Sequence, residues 1–123
     1  MAKEKILVVD DEPLNMELAK DLLEVAGYVV YEATDADEAI QKAREDKFDV
    51  ILMDIQLPGM DGLTATKIIK EDSMNKNTPI VILTAYAMKG DKEKIEASGC
   101  DGYLTKPINT KEFAQSVAGF LKT

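Results

Sequence analysis

Residues 5–27, KILVVDDEPLNMELAKDLLEVAG, contain the pattern that decides the fold. The run from Ile6 to Val9 is apolar at every position, which predicts a strand covered on both faces, as in a parallel sheet. Apolar residues then recur at positions 14, 18, 22 and 25, which is helical spacing, and Gly27 is placed to end that helix. A buried strand followed by a helix is the repeating unit of parallel α/β sheets.

The same unit recurs along the whole chain. Apolar, β-branched runs predict strands at residues 5–9, 29–33, 50–53, 79–83 and 102–104. The second, third and fifth helical patterns are carried by Ala36, Ala39, Ile40, Ala43, Leu63, Thr66, Ile69, Phe113, Val117, Phe120 and Leu121. Because parallel crossovers are right-handed and helices must cover both faces, we predict an α/β fold: an open, doubly wound, five-stranded parallel sheet of (βα)5 type. The strand order 2-1-3-4-5 is taken from a known class of such sheets, not from the sequence.

The fourth helix, expected at about residues 87–98, has the weakest pattern. Its polar stretch offers only Met88, Ile95 and Ala97 as apolar anchors. Gly90 within it lowers the helix propensity by about 1 kcal/mol relative to alanine. We therefore expect this helix to be the least firmly packed.

Composition narrows the functional classes. The chain has 123 residues, a formal net charge of −8, one cysteine and no histidine. The acidic balance argues against binding to nucleic acid or to an anionic membrane, both of which need clustered lysine and arginine. The lack of histidine excludes Ser-His-Asp triads and histidine metal ligands, and one cysteine, Cys100, excludes an internal disulfide. Without a signal peptide or a membrane span, the reducing cytoplasm is the expected compartment.

Polar side chains stand at four predicted strand ends. Asp10 and Asp11 follow the first strand, Asp54 the third, Thr84 the fourth and Lys106 the fifth. If the second strand is at the edge of the sheet, the other four ends meet on one rim, where ligands bind in doubly wound folds. Two carboxylates about 4 Å apart repel by about 4 kcal/mol at an effective dielectric near 20. Helix capping would explain one aspartate per strand, but not two adjacent ones with a third across the gap.

Oxygen ligands without histidine or cysteine suit Mg²⁺, which often takes one or two carboxylates with waters and a phosphate. We expect Asp11 and Asp54 to bind the ion directly, and Asp10 to bind it directly or through a metal-bound water. The backbone carbonyl of Gln56 could complete the ligand set. Mn²⁺, which accepts the same ligands, could substitute.

The same rim suits phosphoryl transfer, which depends on positioning and charge stabilisation. Lys106 would neutralise one phosphoryl oxygen and the Thr84 hydroxyl would bind another. A carboxylate nucleophile that forms an aspartyl phosphate is known chemistry. The turn at residues 55–62, IQLPGMDG, would let the backbone approach the phosphorylated side chain.

These motifs resemble the response-regulator receiver domain, the CheY-like superfamily, whose fold is flavodoxin-like. The matching segments are VVDDE at 8–12, LMDIQLPGMDG at 52–62, ILTA at 82–85 and YLTKP at 103–107. The resemblance covers essentially the whole chain in order. The stretch TAYAMKGD at 84–91, and the lack of an output domain within residues 1–123, are most like a single-domain regulator of this family.

The resemblance implies that Asp54 accepts a phosphoryl group, in the presence of Mg²⁺, from a sensor histidine kinase or a histidine phosphotransfer protein. It implies conformational switching through Thr84 and the ring of Tyr103. Output would then be the binding of a downstream protein target by helix four, strand five and helix five, around Met88, Ile95, Tyr103 and Phe113.

The resemblance has further implications for the lifetime of the phosphoryl group, for one peptide bond, and for the activity, oligomeric state and partners of the protein. Gln56 and Tyr86 occupy positions that tune dephosphorylation in this family, and the Lys106–Pro107 peptide bond is expected to be cis. The chain would be a phosphoacceptor signalling domain, not a conventional enzyme, although it would assist its own phosphoryl transfer and dephosphorylation. A monomer is expected, without a nucleic-acid or membrane partner.

Four other functions compete with this interpretation. A phosphatase of the haloacid-dehalogenase type uses an Asp-x-Asp pair after its first strand, whereas Glu12 stands at the second site here. A flavodoxin-like FMN carrier would have a phosphate loop rich in serine, threonine and glycine, unlike DDEPLN at residues 10–15. A constitutive adaptor would not need the complete acidic set with Thr84 and Lys106. A phosphorelay intermediate or phosphate sink uses the same residues and stays open.

Overall fold

Strands and helices alternate along the chain. The computed structural model describes residues 3–71, 74–85, 89–106 and 108–121, and within these ranges it has five strands and five helices. The strands are β1 (Lys5–Val9), β2 (Val29–Ala33), β3 (Val50–Asp54), β4 (Ile80–Thr84) and β5 (Gly102–Thr105). The helices are α1 (Pro13–Val25), α2 (Ala36–Glu45), α3 (Gly62–Glu71), α4 (Lys89–Ala97) and α5 (Phe113–Ala118). None of the helices found in these ranges has both the length and the apolarity needed to cross a membrane.

The strands form one parallel sheet in the order β2-β1-β3-β4-β5, which confirms the predicted fold class. β3 and β4 extend one residue beyond their predicted ends, to Asp54 and Thr84. Asp54 pairs with Leu83, and Thr84 pairs with Thr105. The backbones of these two site residues are therefore held by the sheet itself.

The core has two layers, one on each face of the sheet. Alternate residues of a strand point to opposite faces, so Leu7 and Val9 contact one layer while Ile6 and Val8 contact the other. The first face packs against α2, α3 and Ile95 of α4, and the second face packs against α1 and α5. The residues of β3 and β4 are all buried, as their continuous apolar pattern predicted.

The predicted apolar face of α1 is wrong at its two ends, while its middle residues Leu18 and Leu22 are half-buried. Leu14 and Val25, the first and last residues of that stripe, are 74% and 90% exposed. The residues that α1 buries are Met16, Ala19 and Leu23. Apolar residues occupy two adjacent stripes of this helix, both with helical spacing, so periodicity alone could not choose between them. The direction in which the chain leaves β1 decides which stripe faces the sheet.

The start of α2 is capped by side chains. The Asp35 carboxylate accepts a hydrogen bond from the Glu38 N–H at 2.7 Å, and the Glu38 carboxylate accepts one from the Thr34 N–H at 2.7 Å. This exchange holds the residues between β2 and α2 in place.

In α4, Ile95 is 1% exposed and is an anchor, as predicted. Ala97 is exposed, so its prediction as an anchor is wrong. Two residues along a helix correspond to a rotation of about 200°, which turns Ala97 away from the side that Ile95 buries. Met88 and the predicted start at residue 87 lie outside the described residues.

Candidate functional site

Four strand ends meet on the rim at the carboxyl side of the sheet, as predicted. Asp10 follows β1, Asp54 ends β3, Thr84 ends β4 and Lys106 follows β5. Asp10, Asp54 and Thr84 are only 2%, 5% and 5% exposed, which is unusual for polar residues in a small domain. Asp11, beside them, is exposed to solvent.

Lys106 joins two of the carboxylates. Its Nζ lies 3.0 Å from Asp54 Oδ2 and 3.2 Å from Asp10 Oδ2, and its side chain is 15% exposed. The Lys106 backbone N–H donates a hydrogen bond to the Thr84 carbonyl oxygen at 2.8 Å. One ammonium group is thus shared by two buried carboxylates that come from different strands.

The other oxygen of each buried carboxylate accepts a hydrogen bond from the backbone two residues further on. Asp10 Oδ1 accepts the Glu12 N–H at 2.9 Å, and Asp54 Oδ1 accepts the Gln56 N–H at 3.2 Å. Such local bonds are typical of aspartate at turns. The role of the Glu12 backbone in orienting Asp10 was missed in the sequence, although the spacing of two residues is the signal that could have indicated it.

The electrostatics of the pair are not those of a simple ion pair. Burial raises the pKa of the Asp54 carboxyl, the Lys106 hydrogen bond and charge lower it, and the Asp10 charge raises it again, so that the pKa is raised overall. Burial lowers the pKa of Lys106, but its hydrogen bond to Asp54 and the charges of Asp10 and Asp54 raise it overall. If the attraction of Lys106 were the largest effect, the pKa of Asp54 would be lowered. The ammonium therefore does not fully compensate two buried carboxylates.

The carboxylates also suit a divalent cation. Asp10, Asp11 and Asp54 each offer an oxygen, and these oxygens all lie within 4.8 Å of one another. Three carboxylates with one ammonium leave an excess of negative charge, and oxygen is the ligand atom that Mg²⁺ prefers. The exposed Asp11 leaves the outer side of the cluster open to water, which Mg²⁺ usually retains. The residues present therefore fit the ion.

Thr84 and Tyr103 lie on the same face of the sheet. Thr84 is two residues beyond Ile82 on β4, and Tyr103 pairs with Ile82 from β5. Ile82 belongs to the first-face layer, and the half-buried Tyr103 packs against that layer. Alternation along the strands directs the Thr84 side chain to this face as well. The two residues are in neighbouring strands, with Thr84 nearer the rim.

The remaining predicted site residues are distributed as follows. Gln56 is exposed on the rim, with its N–H bonded to Asp54 as described above. Tyr86 and Pro107 lie outside the described residues, and with them the predicted cis peptide bond.

A groove of about 380 Å³ adjoins the acidic cluster on the side of α1 and β2. Its lining includes Asp10 and Asp11, and Lys20 and Glu32 form an ion pair across it at 3.4 Å. Solvent and ions can therefore reach the rim from this side.

Comparison with known proteins shows the family of this chain. The sequence profile of the response regulator receiver domain matches residues 6–118. The polar-differentiation response regulators DivK of Brucella anthropi and Brucella ovis are each 42% identical to this chain over 116 residues, which is 94% of this chain and 94% of each relative.

Solved structures give the same result. The Vibrio cholerae chemotaxis protein CheY4 superimposes with a TM-score of 0.93 at 35% identity, covering 98% of this chain and 100% of that one. The receiver domain of the Pseudomonas aeruginosa sensor histidine kinase PA1611 has a magnesium ion coordinated in its active site cleft. It superimposes with a TM-score of 0.90 at 34% identity, covering 97% of this chain and 98% of that one. Both the resemblance in the motifs and the expected fold are confirmed, and the chain belongs to the response regulator receiver domain family of two-component phosphorelay systems.

Proposed function

We propose that Asp54 accepts a phosphoryl group, in a Mg²⁺-dependent reaction, from a histidine of a sensor histidine kinase or a histidine phosphotransfer protein. The observation that carries the proposal is the shared ammonium: Lys106 Nζ lies 3.0 Å from Asp54 and 3.2 Å from Asp10 within a buried acidic cluster. A domain with no use for negative charge at this rim has no reason to bury two carboxylates there at a cost in solvation.

The transfer is a displacement at phosphorus. An oxygen of the Asp54 carboxylate forms the new bond to phosphorus, and the bond between phosphorus and the donor's imidazole nitrogen breaks. The electron pair of that bond returns to the imidazole, so no oxidant or reductant is needed. The histidine must come from the donor, because this chain has none.

Residues of this chain stabilise the charge that the phosphoryl group brings. Lys106 already contacts Asp54 and binds one phosphoryl oxygen, while the Thr84 hydroxyl binds another. Asp10, Asp11, Asp54 and the backbone carbonyl of Gln56 would hold the Mg²⁺, with Mn²⁺ as a substitute. When bound, the ion would offset the charge of the carboxylates and of the phosphoryl oxygens.

The phosphoryl group also drives a switch. The aspartyl phosphate carries about two negative charges where the Asp54 carboxylate carried one. Thr84 moves toward it, which vacates space for the Tyr103 ring to turn inward. A shift from 1:99 to 99:1 between two states needs about 5.5 kcal/mol of differential stabilisation, which a few charge-assisted hydrogen bonds can supply.

We propose that this switch changes the surface formed by α4, β5 and α5. That surface would bind a downstream protein target. Ile95 and Phe113, two residues expected on that surface, are 1% and 4% exposed and therefore belong to the core. Their packing, not direct contact, would transmit the change. Tyr103 is half-buried, so it could both transmit the change through its packing and contact the target directly.

Other parts of the proposal concern the phosphoryl lifetime and the cellular context. Gln56 and Tyr86 tune dephosphorylation, which the domain assists, and the Lys106–Pro107 peptide bond stays a predicted cis bond. Residues 1–123 act as one receiver domain, monomeric and cytoplasmic, that regulates a protein target without binding nucleic acid or membrane.

Labelling with radioactive acetyl phosphate in millimolar Mg²⁺ tests the acceptor. The parent should gain a hydroxylamine-sensitive label and Asp54→Asn should gain none. Asp49→Asn is the matched control, because Asp49 directly precedes the same strand at its opposite end. It should be labelled like the parent, and a label retained in Asp54→Asn would refute the assignment.

Capture of partner proteins with and without beryllofluoride separates a regulator from a phosphorelay intermediate or phosphate sink. A regulator requires binding to a target that depends strongly on the phosphorylated state. Equal capture in both states would support the relay or sink instead.

A further inference from the structure

We propose that Gly62, the first residue of α3, is a positioning residue for phosphoryl transfer to Asp54. This inference rests on the function proposed above. Gly62 contacts neither a phosphoryl donor nor the carboxylate, and it acts through the backbone of Asp54.

Gly62 lies against the end of β3 with no room for a side chain. A Cβ atom at this position would be 1.9 Å from the Asp54 carbonyl oxygen and 2.8 Å from its carbonyl carbon. It would also lie 3.0 Å from Met53 Cγ. The neighbouring atoms that it would meet first belong to backbone, which cannot rotate away as a flexible side chain can.

Space, not backbone conformation, is what requires glycine here. Gly59, in the same loop, has a φ of +81°, in the region that favours glycine. Gly62 is not among the described residues with positive φ. It is therefore the close approach of α3 to β3 that excludes a side chain at position 62.

Hydrogen bonds hold Gly62 in this position from both sides. Its N–H donates to the Ile55 carbonyl oxygen at 2.9 Å, immediately after Asp54 in the chain. Its own carbonyl oxygen accepts a bond from the hydroxyl of Thr66 at 2.8 Å, and Thr66 is fully buried. The first turn of α3 is thus bonded to the peptide that follows Asp54 and packed against the peptide of Asp54 itself.

The consequence is a fixed direction for the Asp54 side chain. Its carboxylate reaches Lys106 at 3.0 Å and the Gln56 N–H at 3.2 Å from the backbone position that Gly62 packs against. A methyl group at position 62 must displace the Asp54 carbonyl by about 1 Å or more to restore an ordinary contact. A displacement of about 1 Å in a reacting group can slow a reaction about 100-fold.

The test is the rate of labelling by acetyl phosphate in Gly62→Ala, at saturating Mg²⁺ and varied donor concentration. We expect the maximal rate to fall about 100-fold. The donor concentration that gives half the maximal rate should change little, because donor binding does not involve position 62. Mg²⁺ binding, followed by the shift in melting temperature, should weaken because Asp54 is a proposed ligand.

Gly102→Ala is the matched control for crowding. A Cβ atom there would lie 2.5 Å from the Phe120 ring, at the start of β5 and away from the rim. Gly102→Ala should lower the melting temperature but keep the parental maximal rate. A folded Gly62→Ala with the parental maximal rate would overturn the inference, as would an equal loss of rate in Gly102→Ala.

If Gly62→Ala does not fold, Thr66→Val decides. It removes the hydroxyl that bonds to Gly62 and keeps the shape of the side chain. A maximal rate several-fold below that of the parent, in a natively folded variant, supports the inference, and the parental rate overturns it. An unlabelled parent would instead refute the proposed function, so the two failures are distinguishable.

Discussion

Replacing Asp54 by asparagine should stabilise the fold when no divalent cation is present. The Asp54 side chain is 7% exposed and shares one ammonium with Asp10, whose side chain is 2% exposed. Asparagine has nearly the same shape, and its side-chain oxygen can still accept the Gln56 N–H. The substitution therefore removes one buried charge without leaving a cavity.

The magnitude follows from the distances between Asp54 and its charged neighbours. At an effective dielectric of about 20, Lys106 at 3.0 Å attracts the Asp54 carboxylate by roughly 5.5 kcal/mol. Asp10, with an oxygen within 4.8 Å, repels it by at least roughly 3.5 kcal/mol, and the exposed Asp11 adds a smaller, screened repulsion. The attraction by Lys106 exceeds the repulsion by Asp10 by at most roughly 2 kcal/mol, and the repulsion by Asp11 reduces this excess. The cost of burying the carboxylate, which is the largest cause of its raised pKa, therefore decides the sign. We expect a gain of about 1 to 2 kcal/mol, at the lower end of the range found when buried ionic groups are replaced by neutral ones of similar volume.

Thermal unfolding followed by circular dichroism, in EDTA at neutral pH, measures this gain. For a chain of this length, 1 to 2 kcal/mol corresponds to a rise in melting temperature of about 4 to 8 °C. Glu24→Gln, at an exposed position of α1, loses the same formal charge and serves as the control. Its free energy of unfolding should change by less than about 0.5 kcal/mol.

The gain should also depend on pH in a defined direction. The folded-state pKa of Asp54 is raised above its ordinary value of 3.8. The stability that comes from protonating Asp54 is therefore fully present below pH 3.8 and is lost as the pH rises through the raised pKa. Parent and variant should converge in acid and separate at neutral pH. A variant less stable than the parent at neutral pH would refute this reasoning, because the attraction of Lys106 would then outweigh burial and repulsion.

Three further predictions concern the cation, the ammonium and the exposed stripe of α1. Mg²⁺ at about 100 times its dissociation constant should stabilise the parent by about 2.7 kcal/mol, and an unchanged melting temperature in millimolar Mg²⁺ would argue against the metal site. Lys106→Met should destabilise the metal-free protein by about 3 kcal/mol in urea unfolding, because two buried carboxylates lose their shared counter-ion, and a neutral effect would contradict this account. Leu14→Ser and Val25→Ser, at positions 74% and 90% exposed, should each change the midpoint of urea unfolding by the equivalent of less than about 0.5 kcal/mol. A larger loss in either would mean that the side chain is packed in solution.

The alternation of strands and helices could be predicted from the sequence because it depends on local pattern. Continuous apolar runs identify strands buried on both faces, and helical spacing identifies the elements that cover them. The polar residues at the strand ends were also visible, since Asp10, Asp54, Thr84 and Lys106 interrupt or follow apolar runs. The segment TAYAMKGD, by contrast, carries a family resemblance without any pattern of burial that indicates its packing.

What only the tertiary structure decided is which of these residues become neighbours. The strand order was predicted from a known fold class and not from the sequence. In α1 the sequence has two apolar stripes, and only packing against the sheet determines which one is more buried. Lys106 contacts Asp54 and Asp10 across 52 and 96 residues of chain. The closeness of Gly62 to the Asp54 carbonyl exists only because α3 packs on β3. Local patterns indicate which kind of element a segment forms, but the choice of buried face and the distances between distant segments are set by packing, which no single segment encodes.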